Sequence, residues 1–454
     1  MIRIIVRSKR DADAVKAMIS TFYPNWNIGV STLHGARTIE KATRELEDII
    51  NDYEFFVVLL GREDRQLALE LNKLKYPNVV FHVVPRARVR NARLEQLSHE
   101  FEVARCMFRV LVTWDNRLNA YVFNRIGEIA LEGIEPNPAY DVFLAIGKCF
   151  TEVLSKVIGL SIKSIPLLVR KLGGVHDIYV GYGKVGVLRI PDQGLMPTGN
   201  AFDIINYPNI GLGNIIRANE DILNIYEKIS IKLLEQYVDW AQQVIIPWSG
   251  GKDSTAALIL ATKVFDKNKI KAIYCDTGLE FPDTINYVER MEKKLGIEVI
   301  KVYAGIDKEI IERRKPLPTH NFRWCTGMKI GAIESKIKDL ASKSRTLVIV
   351  GDRDAESERR SLRPPIRIVN ENAIYVAPLK LWSTAHVQLY LIKNNIPLNP
   401  LYDYGFYRIG CYICPALRSW ELYIMLHTKR LYEKLKNKPL FREFAELRRK
   451  EQEG

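Results

Sequence analysis

Residues 244–265 read V-I-I-P-W-S-G-G-K-D-S-T-A-A-L-I-L-A-T-K-V-F. A short β-branched run ends at Pro247, a glycine pair follows, and an apolar stretch suited to a helix begins at once. The order is strand, tight loop, helix. Gly250 and Gly251 let the backbone turn sharply and approach a ligand closely. The unpaired N–H groups and positive dipole end of a helix starting there suit a phosphate. Lys252 adds a point charge, and Ser249, Ser254 and Thr255 add hydroxyls. The loop is not of the Walker type, which requires glycine where the chain has Ile246 and a hydroxyl residue where it has Asp253. The competing reading is a plain glycine turn capped by serine; the order of elements favours the phosphate loop.

Working outward, A-I-Y-C at 272–275 reads as a second strand and runs into D-T-G-L-E-F-P. Ile297–Tyr303 reads as a third strand and Thr346–Val350 as a fourth. Strand, loop and helix alternate, which predicts an α/β fold with a doubly wound parallel sheet and ligands at the carboxyl ends of its strands. Asp276, Thr277, Gly278 and Glu280 fall at one such end; a turn stabilised by an Asp side chain explains Asp276 equally well. G-D-R-D-A-E-S-E-R-R at 351–360 follows the fourth strand and holds Arg353, Glu356, Ser357, Arg359 and Arg360, with Arg363 just beyond. Guanidinium forks suit sulfate, phosphate or a nucleic-acid backbone. Glu356 is placed to pair with one of these arginines.

The chain has 454 residues, 47% apolar and 26% charged, enough for more than one domain. Residues 1–125 alternate strands (Ile2–Val6, Phe55–Leu60, Val79–Val84) with helices (Asp11–Phe22, Ala36–Ile50, Asp64–Leu74), an α/β domain with a small parallel sheet. Residues 126–215 read as a middle α+β region. I-Y-V-G-Y-G-K-V-G-V-L-R-I there suggests a hairpin on a glycine turn, and the Gly-, Pro- and Asn-rich stretch 193–215 suits a long loop. Residues 216–454 form the third unit, opened by a helix over 221–240. The apolar stretches are far short of a membrane span, and six scattered cysteines argue against a secreted disulfide scaffold. The expected setting is the cytoplasm, with no membrane partner. The net charge of +14, with Arg86, Arg88, Arg90 and Arg93 close together and a lysine- and arginine-rich tail, suits a polyanion such as nucleic acid or, equally, a solvated basic surface.

R-I-G-C-Y-I-C-P at 408–415 holds two cysteines three apart. By itself it is open to a metal site, a redox dithiol or two packed core residues. Cys106 and Cys149 sit among apolar residues and read as core.

Together these stretches resemble one family. S-G-G-K-D-S is similar to the pyrophosphate-loop (PP-loop) motif of the adenine-nucleotide α-hydrolase-like superfamily. C-D-T-G-L-E-F-P-D-T at 275–284, G-D-R-D-A-E-S-E-R-R, P-L-K-L-W-S-T-A-H-V-Q-L-Y at 378–390, N-N-I-P-L-N-P-L-Y at 394–402 and G-C-Y-I-C resemble, in order, the elements of its phosphoadenosine-phosphosulfate (PAPS) reductase branch. The resemblance covers only the C-terminal half. It implies a Rossmann-like PP-loop domain in which Ser249, Gly250, Gly251, Lys252, Asp253, Ser254, Asp276, Thr277, Gly278, Glu280, Arg353, Glu356, Ser357 and Arg360 surround the nucleotide, with Glu280 on the ribose or helping to hold Mg²⁺.

Cluster-bearing members of that family carry four cysteines. This chain matches three, Cys325, Cys411 and Cys414, with Trp324 and Thr326 flanking the first. Three thiolates on a 4Fe–4S cluster leave one iron open, which related sulfur-transferring enzymes use to hold sulfide. Zn²⁺ with Cys275 or a histidine as fourth ligand is the alternative, and no metal is the third. The family's reductases carry a C-terminal E-C-G-L-H segment with the attacking cysteine; the forty residues printed after Cys414 contain none.

Two readings follow from the resemblance. One is ATP-dependent sulfur transfer to nucleic acid of the tRNA-thiolation type, with a sulfur donor as partner. Lys252 and Asp253 then serve at the phosphates and Cys325, Cys411 and Cys414 at the sulfur. The other is an adenylyl-sulfate or PAPS reductase served by a thioredoxin-like reductant, with Arg353 and Arg360 on the sulfate.

Overall fold

The computed structural model describes residues 1–124, 127–202 and 208–453. The expected boundary at 125/126 lies outside them, as do residues 203–207 of the expected long loop.

Six strands build the C-terminal sheet in the order Glu298–Tyr303, Ile270–Asp276, Gln243–Pro247, Thr346–Ile349, Ala373–Val376, Ile366–Asn370. The first five run parallel and the last is antiparallel. A parallel sheet is covered on both faces, so its strands read as continuous apolar runs. Val244, Ile245 and Ile246 are fully buried. Ile245, Ile273 and Val348 pack with Ile337 of the helix Trp324–Ala341. The alternate residues Val244, Ile246 and Leu347 join Leu258 of the helix Lys252–Val264. The chain runs outward from Gln243–Pro247 through two strands, then crosses to Thr346–Ile349 on its other side. That reversal is the topological switch point, where such sheets bind ligands. The final hairpin of this sheet, Ile366–Asn370 with Ala373–Val376, has no counterpart in the sequence reading.

The N-terminal unit is the expected parallel sheet, ordered Ile28–Thr32, Ile2–Val6, Phe55–Gly61, Val79–Val84. The strand Ile28–Thr32 and the helix Leu94–Val110 are additional to what the sequence suggested. The expected helices are trimmed to Lys9–Phe22, Ile39–Glu47 and Arg65–Asn72. The middle region carries an antiparallel sheet ordered Thr198–Ala201, Gly183–Arg189, Val175–Val180, Leu167–Arg170, Asp141–Leu144. The expected hairpin is its central pair, turning at Gly181 with φ of +65°. Thr198–Ala201 is a strand where a loop was expected, because its backbone completes the edge of Gly183–Arg189.

The helix Thr384–Lys393 joins this middle sheet to the C-terminal one. Gln388 donates to the Leu144 carbonyl and accepts from its amide, both at 2.9 Å, closing the sheet edge as a neighbouring strand would. No helix among the described residues is long and apolar enough to cross a membrane.

Candidate active site

The loop after Gln243–Pro247 turns at Gly250, whose φ is +71°, a conformation open to glycine at little cost. Around it the hydroxyls are spent on shape. Ser249 Oγ accepts from the Gly251 amide and Ser254 Oγ from the Ser249 amide, each at 3.3 Å. Thr255 Oγ1 donates to the Gly251 carbonyl at 2.8 Å and accepts from the Trp248 indole at 3.0 Å. Asn399 donates to the Gly250 carbonyl at 3.3 Å. The helix begins at Lys252, so the amides of its first turn have no acceptor within the helix. The Lys252 amide donates to the Tyr402 hydroxyl at 3.0 Å.

Across the switch point, Gly351 lies against this loop. A Cβ there would fall 2.7 Å from the Asp253 carbonyl carbon and 2.8 Å from the Ser254 amide. Only glycine allows the two loops to touch.

Asp253 sits between two cations. Arg353 Nε donates to its Oδ1 at 2.6 Å and Lys252 Nζ to its Oδ2 at 2.9 Å. Burial alone would raise the Asp253 carboxyl; Arg353 and Lys252 override it and hold the pKa down at about 2. Arg353 also donates to Asp141 at 3.1 Å, to the Trp382 carbonyl at 3.2 Å and to Thr384 Oγ1 at 2.8 Å. With its guanidinium enclosed by these partners and the residue 2% exposed, Arg353 is not available to a sulfate. The expectation that it contacts ligand is corrected: it is a clamp behind the loop. Asp141, contributed by the middle sheet and buried, accepts from the Thr384 amide and hydroxyl as well.

The other arginines of the run are paired too. Arg360 meets Glu356 and stands 3.5 Å from Asp352, and Arg363 reaches Asp352 at 3.0 Å. Glu356 also accepts from the Arg353 amide at 3.0 Å. Ser357 caps the short helix Glu358–Ser361 through the Arg360 amide. Arg359 is exposed.

The second strand ends at Asp276, which accepts from the Gly278 amide at 2.8 Å in the turn that the sequence allowed. Gly278 has φ of +76°, and a Cβ there would strike the Asp307 carboxylate. Thr277 donates to Glu280 at 3.0 Å, and Lys329 Nζ lies 3.8 Å from Glu280. The cysteine turn docks on this loop through the Tyr412 amide, which donates to the Leu279 carbonyl at 3.0 Å.

Cys325, Cys411 and Cys414 do come together. Cys325 at the start of its helix feels the charge of Cys414, and Lys329 feels Cys411, Cys275 and Cys414. The neighbouring Cys411 thiol, with the Ala416 amide, Arg408 and Lys329, lowers Cys414 to about 6 against the cost of burial, while Cys411 is driven up. Among the described residues, however, no three His, Cys, Asp or Glu side chains are placed to hold a metal ion. Cys325, Cys411 and Cys414 as ligands of an iron–sulfur cluster or zinc belong to the second reading below. Cys106 is buried as expected, and Cys149 is half-buried.

Sequence reasoning missed Asp141, Tyr402, Asn399 and Lys329. Tyr402 and Asn399 stand in the N-P-L-Y element, whose residues carried no individual assignment. Asp141 has no local signal at all.

Residues 243–417 match the family model for the phosphoadenosine phosphosulfate reductase domain. An uncharacterised protein of Methanocaldococcus jannaschii is 34% identical over 237 residues, 51% of this chain and 48% of its own length, so the chain spans about half of that relative. An adenosine 5'-phosphosulfate reductase of Bacillus cytotoxicus is 27% identical over 208 residues, 43% of this chain and 85% of that protein. The phosphoadenylyl-sulfate reductase structure from Candida auris aligns over 43% of this chain and 96% of its own at 18% identity, with a TM-score of 0.33. The match to the phosphoadenosine phosphosulfate reductase domain thus spans the strand, the phosphate loop and the docked cysteine turn, residues 243–417.

Proposed function

We propose that this domain binds an adenine nucleotide across the carboxyl ends of its sheet and reduces the sulfonate of an adenylyl sulfate, with Cys411 and Cys414 supplying the electrons. The observation that carries the reading is the docking of the Cys411–Cys414 turn on loop 277–280, through the Tyr412 amide and the Leu279 carbonyl at 3.0 Å. The names of relatives such as the Bacillus cytotoxicus enzyme support the substrate class.

The first-turn amides and Lys252 neutralise the phosphate. Asp253, held by Arg353, aims the Lys252 ammonium. The Cys414 thiolate attacks the sulfonate sulfur, the S–O bond to the nucleotide breaks, and AMP leaves with that electron pair. The Cys411 thiol then attacks Cys414 Sγ and loses its proton. Sulfite departs and a Cys411–Cys414 disulfide remains, which an external dithiol of the thioredoxin class reduces. Two thiols are oxidised and one sulfur(VI) is reduced to sulfur(IV). The test is sulfite release from adenylyl sulfate or PAPS with dithiothreitol. Cys414→Ser abolishes it, and Cys411→Ser stalls with one sulfonate on Cys414, seen by mass spectrometry. Sulfite release by Cys414→Ser at the wild-type rate sinks the reading.

A second reading, ATP- and Mg²⁺-dependent sulfur transfer to tRNA or another nucleic acid, has two supports: the net charge of +14 and the convergence of three cysteines. Internal pairing of Arg88 with Glu63 and of Arg90 with Asp11 weakens the first. Iron and acid-labile sulfide in anaerobically purified protein, with tRNA binding that weakens with salt, decides for it. Sulfite release by iron-free protein decides for the reductase.

A further inference from the structure

The N-terminal parallel sheet has a switch point of its own, between Ile2–Val6 and Phe55–Gly61. In open parallel sheets the crevice outside the carboxyl ends at such a point is the general ligand position. A cavity of about 470 Å³ opens there, a volume that suits a small organic ligand. All four strands deliver residues to it: Arg7 after the first, Arg37 after Ile28–Thr32, Glu63 and Asp64 after Phe55–Gly61, and Arg88 after Val79–Val84. Three guanidiniums from three separate loops thus face one space.

The loops are built to hold them. A Cβ at Gly61 would lie 2.3 Å from the Ala87 carbonyl oxygen, so glycine presses the third and fourth strand ends together. Arg7 is buried and donates through Nε to Asp64 at 2.9 Å across the switch point. Arg88 donates through Nε to Glu63, also at 2.9 Å. Each arginine is anchored by one nitrogen and keeps its outer pair of donors. Arg37 is exposed and forms no hydrogen bond or ion pair with the described residues. The carboxylates Glu63 and Glu70 line the same space. A bare anion would use the arginines alone and leave the acceptor oxygens of Glu63, paired with Arg88, and Glu70, paired with Lys73, unused. A sugar phosphate uses both: phosphate on the guanidinium forks, hydroxyls donating to the carboxylates.

We propose that this cavity is a second ligand site, separate from the phosphate loop of residues 249–254, for a phosphorylated sugar up to the size of a mononucleotide.

The test titrates full-length protein with ribose 5-phosphate and, separately, with inorganic phosphate, by calorimetry. Ribose 5-phosphate is expected to bind saturably and more tightly than inorganic phosphate. Arg37→Ala, which removes no internal contact, weakens it by about tenfold or more, the loss expected for one charge-assisted contact. Lys252→Ala leaves it unchanged. Matching melting curves establish that the variants are folded. No saturable binding to the wild-type protein overturns the proposal, as does full affinity in both Arg37→Ala and Arg88→Ala. Loss of binding in Lys252→Ala places the ligand on the C-terminal loop instead and equally overturns it. Inorganic phosphate binding as tightly as ribose 5-phosphate removes the sugar from the assignment.

Discussion

Asp253 bridges two cations that would otherwise repel: Lys252 on Oδ2 and Arg353 on Oδ1. Asp253→Asn leaves a buried guanidinium short of its partner, and the expected loss is about 2–3 kcal/mol of stability in urea denaturation, with lower nucleotide affinity. The carboxyl stands below its ordinary value, at about 2. Its stabilisation is therefore present above about pH 4, where the unfolded carboxyl is also ionised, and is lost as pH falls from about 4 toward 2. The Asn variant should show a flatter acid limb than the wild type. Gly351→Ala tests the contact between loops: its Cβ has no room against the Asp253–Ser254 backbone, so nucleotide binding should weaken, while Gly211→Ala, with open space around it, should not change it. At this scale the sequence was legible where chemistry is local. S-G-G-K-D-S announced its loop, and D-T-G its turn. It was misleading for Arg353, because a motif gives a residue's type and not the side of the loop on which it is buried. Asp141 was invisible for the same reason, being joined to Arg353 only by folding.

The elements that could be read were those with one strong period. The core strands of both parallel sheets are continuous apolar runs, and they stand where expected. The strand Ile28–Thr32 escaped notice because its I-G-V-S-T is half-buried throughout and carries no alternation. The helix Leu94–Val110 escaped because its buried face includes Glu100, Arg105 and Arg109. Those charges are satisfied elsewhere: Glu100 by His82 at 2.5 Å, Arg105 by Asp354, Arg109 by the Pro138 carbonyl. A polar residue paired across an interface looks, in sequence, like a solvent-facing one. Gln388 is a further case, since it substitutes for a strand at the Leu144 edge. Gln388→Ala leaves a buried amide and carbonyl unpaired, and about 2 kcal/mol of stability should be lost. Gln388→Glu, unable to donate, should lose a comparable amount.

Across the whole molecule, buried charges tie the three regions into one site. Arg105 of the N-terminal unit and Lys380 of the C-terminal one share Asp354, the neighbour of the clamp Arg353. Asp141 of the middle sheet holds Arg353 itself. In the tail, Arg448 reaches the Leu417, Asp192 and Gly194 carbonyls. The boundaries expected at 125/126 and 215/216 therefore do not predict independent folding. A fragment of residues 216–454 loses one buried partner of each, Asp141 of Arg353 and Arg105 of Asp354. It should be protease-sensitive and should not bind nucleotide, where the full chain resists and binds; a stable, binding fragment would refute this coupling. The central claim is that the Cys411–Cys414 dithiol, docked on the nucleotide loop, performs the reduction. Its most direct test is one turnover of fully reduced, iron-free protein with adenylyl sulfate in the absence of external thiol. The account predicts one sulfite and one Cys411–Cys414 disulfide per chain. Unchanged thiols with no sulfite, or sulfite formed while both cysteines stay reduced, would contradict it.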